Sequence, residues 1–150
     1  MACICKKLGF TGSNYFIGDN LMPEHKHMVI RAEVLEPITS EKELKKWLRD
    51  LTKIIGMKII KGPYTSYVTK EGNRGITGVV MIETSHISIH IWDETTPALV
   101  QCDVYSCADF QRGEVVMHLG MMRPKVILYM MMDRSKDISC ETPQLHLHAY

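Results

Sequence analysis

Between Ser40 and Gly56 the chain reads SEKELKKWLRDLTKIIG, and this stretch decides what kind of fold surrounds it. Ser40-Glu41-Lys42-Glu43 has the form of a capping box, with serine at the N-cap and glutamate at the third helical position. Leu44, Trp47, Leu48, Leu51, Ile54 and Ile55 then recur at spacings of 3, 1, 3, 3 and 1. That is one apolar stripe on a helix. Gly56 can adopt the left-handed conformation that closes it. A helix with a single apolar face needs a second layer to cover that face, and the flanking residues supply one. Upstream, His27 to Leu35 (HMVIRAEVL) reads as a strand. Downstream, Met57 to Ile60 and Tyr64 to Val68 read as two extended pieces, and Thr69 to Gly75 (TKEGNRG) as a polar loop. Ile76 to Ile91 is rich in β-branched residues, Leu99 to Ser106 is a further strand, and Lys125 to Met132 is the last long one. Phe110 to Met122 reads as a second helix, with Val115, Val116, Leu119 and Met122 able to share a face and Pro124 closing it. The expected fold is α+β: a two-layer α/β sandwich, a mostly antiparallel sheet with helices on one face.

The ends carry less pattern. Residues 1–26 hold turn formers without periodicity (Gly12-Ser13-Asn14, Gly18-Asp19-Asn20, Pro23) and read as an irregular N-terminal extension. The domain proper is expected over residues 27–132. Residues 133–150 read as a polar, partly loose C-terminal tail, in which His146 and His148 are taken as tail residues rather than metal ligands. No metal site is expected.

Composition narrows the function classes. A formal net charge of +1, with Lys and Arg scattered, gives no patch for nucleic acid or an anionic membrane surface. The longest apolar run, Val126 to Met132, is far below the ~20 residues of a membrane-spanning helix. Five cysteines, an odd number in no regular framework, with no apolar leader in residues 1–9, lead us to expect reduced thiols in a cytoplasmic protein. Six of the eleven methionines lie between Met117 and Met132, as expected for a core or a subunit interface.

Chemistry-bearing residues concentrate in Gly75 to Ala108, GITGVVMIETSHISIHIWDETTPALVQCDVYSCA. Ser85, His86, Ser88 and His90 lie within six positions, and Cys107 follows one strand later. Hydroxyl, imidazole and thiol are the parts of nucleophilic and acid–base catalysis, and they are also common structural residues of a half-exposed strand. In one unbroken strand Ser85 would share a face with Ile87, Ile89 and Ile91, opposite His86, Ser88 and His90. For Ser85 to meet His90, the chain would have to turn or bulge near Glu83 to His86. A zinc-protease reading of His86 and His90 fails, because that motif needs a helix with Glu after the first His.

Taken together, Gly75, Gly78, Val79, Val80, Ile82, Ser85, His86, Ile89 and His90, followed by Asp103, Val104, Tyr105 and Cys107, resemble the signature of the small pyruvoyl-dependent S-adenosylmethionine decarboxylases of bacteria and archaea. The similarity extends over residues 27–132. It implies a proenzyme in which Ser85 attacks the carbonyl of Thr84 in an N-to-O acyl shift. Elimination then cuts the chain between Thr84 and Ser85 and leaves a pyruvoyl group derived from Ser85, the cofactor that forms a Schiff base with the substrate. By the same resemblance His90 assists the elimination, Thr77 stands for a supporting serine, and Cys107 donates the proton after decarboxylation. Glu94 would bind ribose hydroxyls, and Tyr67 would stack on adenine. The chain departs from the pattern in having Thr84 before the serine, where glutamate is usual, and Trp92-Asp93-Glu94 in place of aromatic–Pro–Glu.

Three functions stay open at this point. The first is a homodimeric carboxy-lyase acting on S-adenosylmethionine for spermidine and polyamine synthesis. The second is a pyruvoyl decarboxylase of another amino acid, such as arginine or ornithine. The third is an unprocessed, non-catalytic relative that serves as a binding or regulatory subunit.

Overall fold

A computed structural model describes residues 24–147. Most of the N-terminal extension expected over 1–26, together with Cys3, Cys5 and His148, lies outside the described residues. Among those described, the chain forms eight strands and two α-helices. They run β1 (Lys26–Val34), α1 (Glu41–Ile54), β2 (Ile59–Val68), β3 (Gly75–Ile82), β4 (Ser85–Trp92), β5 (Ala98–Ser106), α2 (Arg112–Leu119), β6 (Pro124–Asp133), β7 (Ser139–Cys140) and β8 (Gln144–Leu147).

The strands make one open sheet in the order β2-β3-β4-β5-β1-β6-β7, with β8 also paired to β6, and every pairing is antiparallel. Alternation sends Met28, Ile30, Ala32 and Val34 of β1, Ile87, Ile89 and Ile91 of β4, and Val100, Cys102 and Val104 of β5 into one buried layer. Leu44, Trp47, Leu48 and Leu51 of α1 and Val115 and Leu119 of α2 close over that layer. The expected two-layer α+β sandwich is the fold.

The serine N-cap forms, with the Glu43 N–H donating to Ser40 Oγ at 3.5 Å, and Gly56 takes φ +70° just past the helix end. Gly78 explains itself by proximity to this helix. A Cβ there would lie 2.8 Å from Leu48 Cδ1 and 2.9 Å from Leu44 Cδ2, so the glycine lets α1 settle onto β3.

Several local expectations are corrected. Ile54, assigned to the buried stripe, is 39% exposed, because the helix ends there and Ile55 turns inward instead. The pieces at 57–60 and 64–68 are one strand, β2, whose register against β3 slips between Ile59 and Tyr64. The second helix is shorter than 110–122: α2 ends at Leu119, and a 3-10 turn at Gly120–Met122 finishes it. Two short strands form within the tail beyond Asp133, which was expected to be partly loose. β7 and β8 pair along the outer side of β6 and cover what would otherwise be an open apolar edge. There His146 stacks on Tyr129 with ring centroids 5.5 Å apart.

Candidate active site

The connection Glu83-Thr84 joins β3 to β4 as a two-residue hairpin, with Ile82 paired to Ser85. It is held on both sides. The Glu83 N–H donates to the Lys58 carbonyl at 2.9 Å, and the Thr84 hydroxyl points at Met57 Sδ, 3.1 Å away. Ser85 then begins β4 with φ +146°, a backbone value that residues with a side chain rarely adopt. Positions of this kind cost on the order of 1–3 kcal/mol and persist only where the surroundings impose them. The carbonyl of Thr84 accepts a hydrogen bond from the Cys107 N–H at 2.8 Å. Ser85 pairs across the ladder with Ser106, next to Cys107. Thr84, Ser85 and Cys107, three residues singled out in the sequence, are thus brought together.

The remaining predicted residues gather elsewhere. β4 runs antiparallel to β3, which sets Thr77 opposite His90, and Thr77 Oγ1 lies 2.9 Å from His90 Nδ1. The His90 ring stacks on Trp92, centroids 5.5 Å apart. Both line a cleft of about 220 Å³ with Val68, Asn73 and Gly75. At the same end the Tyr67 hydroxyl donates to Asp93 Oδ2 at 2.7 Å, and the Gly72 N–H donates to Glu94 Oε1 at 2.8 Å. Arg74 bonds the other Asp93 oxygen, Oδ1, from Nε at 2.8 Å. Burial would raise the Asp93 carboxyl, but Arg74 and the Tyr67 hydroxyl outweigh it and hold the group below its ordinary value. The hydrogen bond to Asp93 in turn pushes the Tyr67 phenol up. This cluster keeps the polar loop folded onto the end of β4. Arg74 was not singled out in the sequence, and Trp92 and Asp93 were noted there only as departures from the family pattern, without a role; Asp93, a carboxylate beside a predicted ligand, was the available signal.

Thr77, His90, Tyr67 and Glu94 therefore occupy one end of β4, and Thr84, Ser85 and Cys107 the other. The chain does turn at Glu83-Thr84, but before Ser85, so Ser85 and His90 share one continuous strand. Five residues of strand separate them by roughly 16 Å at ~3.3 Å per residue. Within one chain they do not meet.

Of the described cysteines, Cys102 is buried in the core, where desolvation pushes its thiol far above the usual range. Cys140 is exposed on β7, and Cys107 is the one beside Ser85.

Residues 26–135 match the family described as S-adenosylmethionine decarboxylase. This chain belongs to that family. Similar proteins include S-adenosylmethionine decarboxylase proenzymes of three prokaryotes. That of Archaeoglobus fulgidus is 36% identical over 62 residues, 40% of this chain and 54% of the relative. That of Pyrococcus furiosus is 31% identical over 85 residues, 55% of this chain and 57% of the relative. That of Persephonella marina is 42% identical over 55 residues, 35% and 40% of the two chains. The matched stretches span about half the length of these relatives. The family match contains both ends of β4, so each half of the site lies inside the shared domain. Among the described residues no helix is long and apolar enough to cross a membrane.

Proposed function

We propose that this chain is a self-cleaving proenzyme that decarboxylates S-adenosylmethionine. The observation that carries the reading is the Thr84-Ser85 junction: a serine with φ +146° whose preceding carbonyl already accepts the Cys107 N–H, inside a domain of this family. Attack of Ser85 Oγ on the Thr84 carbonyl carbon closes a five-membered ring through Cβ, Cα and N. The carbonyl oxygen gains charge as the ring forms, and a donor already aimed at it lowers that barrier. Breaking the C–N bond relieves the unfavourable φ and leaves an ester. Removal of the Ser85 α-proton then expels Thr84 as a carboxylate, and hydrolysis of the dehydroalanine releases its nitrogen as ammonia and leaves a pyruvoyl terminus at residue 85.

The pyruvoyl group so formed would supply a ketone that captures the substrate amine and takes up electrons as carbon dioxide leaves. The residues around it fit such a group: Cys107 adjoins this terminus through its N–H on the Thr84 carbonyl, and its free thiol is the proposed proton donor to the substrate carbon. Tyr67 and Glu94 remain the proposed contacts to adenine and ribose, with Asp93 and Arg74 fixing the loop that carries them.

We further propose a homodimer as the working unit. His90 is the proposed base for the elimination, and it stands about 16 Å from its own Ser85. Thr77, Tyr67 and Glu94 stand at the same far end. A second copy, set with its β4 reversed against the first, brings its His90 end to Ser85 and completes two equivalent sites. The open face of the sheet, which carries half-buried Val29, Leu128 and Met130, supports such a pairing. Cytoplasmic location is part of this proposal.

The test is the intact mass of the purified protein. The reading expects two fragments, 1–84 and 85–150, with the second carrying a pyruvoyl end that reacts with a carbonyl reagent. Ser85→Ala should remain whole. A wild-type chain that stays whole and ignores the carbonyl reagent, together with an equally inert Thr84→Glu, would favour a non-catalytic binding subunit. Cleavage with release of carbon dioxide from arginine or ornithine alone would move the substrate and keep the chemistry.

A further inference from the structure

The self-cleavage reading names a nucleophile, Ser85, but no group to take its proton: His90 of the same chain is too far along the strand, and the His90 that a second copy would bring is assigned to the later elimination and has its Nδ1 engaged with Thr77. We infer that His86 is the base that removes the Ser85 hydroxyl proton and returns it to the Ser85 nitrogen as the acyl shift completes. This inference rests on the proposed self-cleavage and adds a catalytic residue to it.

The geometry is unusual for neighbours in sequence. Successive side chains of a strand point to opposite faces, so Ser85 and His86 should diverge. Ser85 departs from extended backbone with its φ of +146°, and its Oγ lies 3.1 Å from His86 Nδ1. The imidazole is held in place from the next strand. Tyr105, its partner across β4 and β5, meets it edge-on with centroids 5.7 Å apart. Tyr105 is itself fixed by His25, whose Nδ1 lies 2.9 Å from the phenol oxygen, and by the Arg134 guanidinium 4.7 Å above its ring. The His86 side chain is exposed, so water can serve Nε2–H while Nδ1 stays free to accept from Ser85. No other described side chain within hydrogen-bond distance of Ser85 Oγ can act as a base.

The step balances without a co-reactant. Nδ1 takes the Oγ proton as the Oγ–C bond to Thr84 forms, and the carbonyl oxygen carries the charge against the Cys107 N–H. As the C–N bond breaks, the imidazolium gives its proton to the departing nitrogen. The products are an ester, a free amine and neutral His86.

The test follows cleavage of the full-length wild-type, His86→Ala, His86→Gln and His90→Ala chains over time, with and without hydroxylamine, which cuts esters and spares amides. His90→Ala should accumulate hydroxylamine-sensitive chain, since its block lies after the shift. His86→Ala should slow cleavage by ~10²-fold or more, the usual range for a lost general base, and should stay whole in hydroxylamine. Added imidazole should speed it, which a purely structural defect would not allow. His86→Gln, which keeps polarity and bulk at the position, should be as slow if it is the base that matters. The inference is overturned if either His86 variant, folded by its thermal unfolding, cuts within about threefold of wild type, or if it accumulates ester. A wild-type chain that never cuts removes the self-cleavage reading itself, an outcome distinct from normal cleavage without His86.

Discussion

Thr77 and His90 face each other across the β3–β4 ladder, and the hydroxyl is the hydrogen-bond partner of His90 Nδ1 while Trp92 stacks on the ring. Thr77→Val keeps the branched shape and removes the hydroxyl. In the proposed enzyme it should slow elimination while leaving the acyl shift intact, so hydroxylamine should cut more of the accumulated chain than in wild type. His118 makes a second prediction, on stability. Its Nε2 lies 3.0 Å from the Trp47 carbonyl and its ring packs on the Trp47 indole, so α2 is fastened to α1 through one buried imidazole. Desolvation holds His118 below the ordinary histidine value of 6.5, against the opposing pull of the Trp47 carbonyl and Asp50. The unfolded chain therefore binds a proton that the folded chain refuses. The stability linked to this group is complete above about pH 6.5 and declines as pH falls below it toward the folded value. Melting temperatures between pH 7.5 and about 5 should fall more in wild type than in His118→Gln.

Helix α1 is the element on which the fold turns, and its contact with β3 can be measured. Trp47 is 2% exposed, so Trp47→Ala should cost ~3–5 kcal/mol in denaturant unfolding. A loss below about 1 kcal/mol would mean that the stripe does not hold the layers together. Its indole N–H is buried without a partner among the described residues, so Trp47→Phe should cost clearly less. Gly78→Ala should cost ~1–3 kcal/mol, since its methyl must displace Leu44 and Leu48. This element was legible in the sequence because a cap and a stripe are local patterns. Ile54 was misread because a stripe does not say where the layer beneath it ends. β7 and β8 were not legible, since their side chains are exposed and their pairing rests on backbone groups, with only the His146 ring on Tyr129 beside them. The site divides the same way. Ser85, Thr84 and Cys107 could be named from their motif, and period-2 alternation already warned that Ser85 and His90 part company. The Ser85–His86 contact contradicts that alternation and depends on one backbone angle, which no residue pattern encodes.

At the scale of the molecule, two half-sites at opposite ends of one strand make assembly testable without a structure of the pair. Light scattering should give twice the chain mass at micromolar concentration. A mixture assembled by co-expressing Ser85→Ala with His90→Ala should recover cleavage that neither shows alone, because each defective chain supplies what the other lacks. Cleavage of His90→Ala chains only, in the mixture, identifies the half that was rescued. Persistent failure of the mixture, with both variants folded and dimeric, would place His90 outside the reaction.

The hairpin at Glu83-Thr84 has a last consequence, in the order of events during the protein's life. A cut there divides the sheet so that β1, from the first fragment, stays wedged between β5 and β6 of the second. The whole chain reaches that interleaved arrangement by folding with itself, a reaction whose rate does not depend on concentration. Two separated fragments would have to find each other and thread one strand into a gap between two others. Maturation thus acts as a ratchet: folding comes first, cutting follows, and the way back is closed. Ser85→Ala should regain its native spectrum after dilution from urea, whereas the cut protein, unfolded under the same conditions, should recover poorly and in proportion to its concentration.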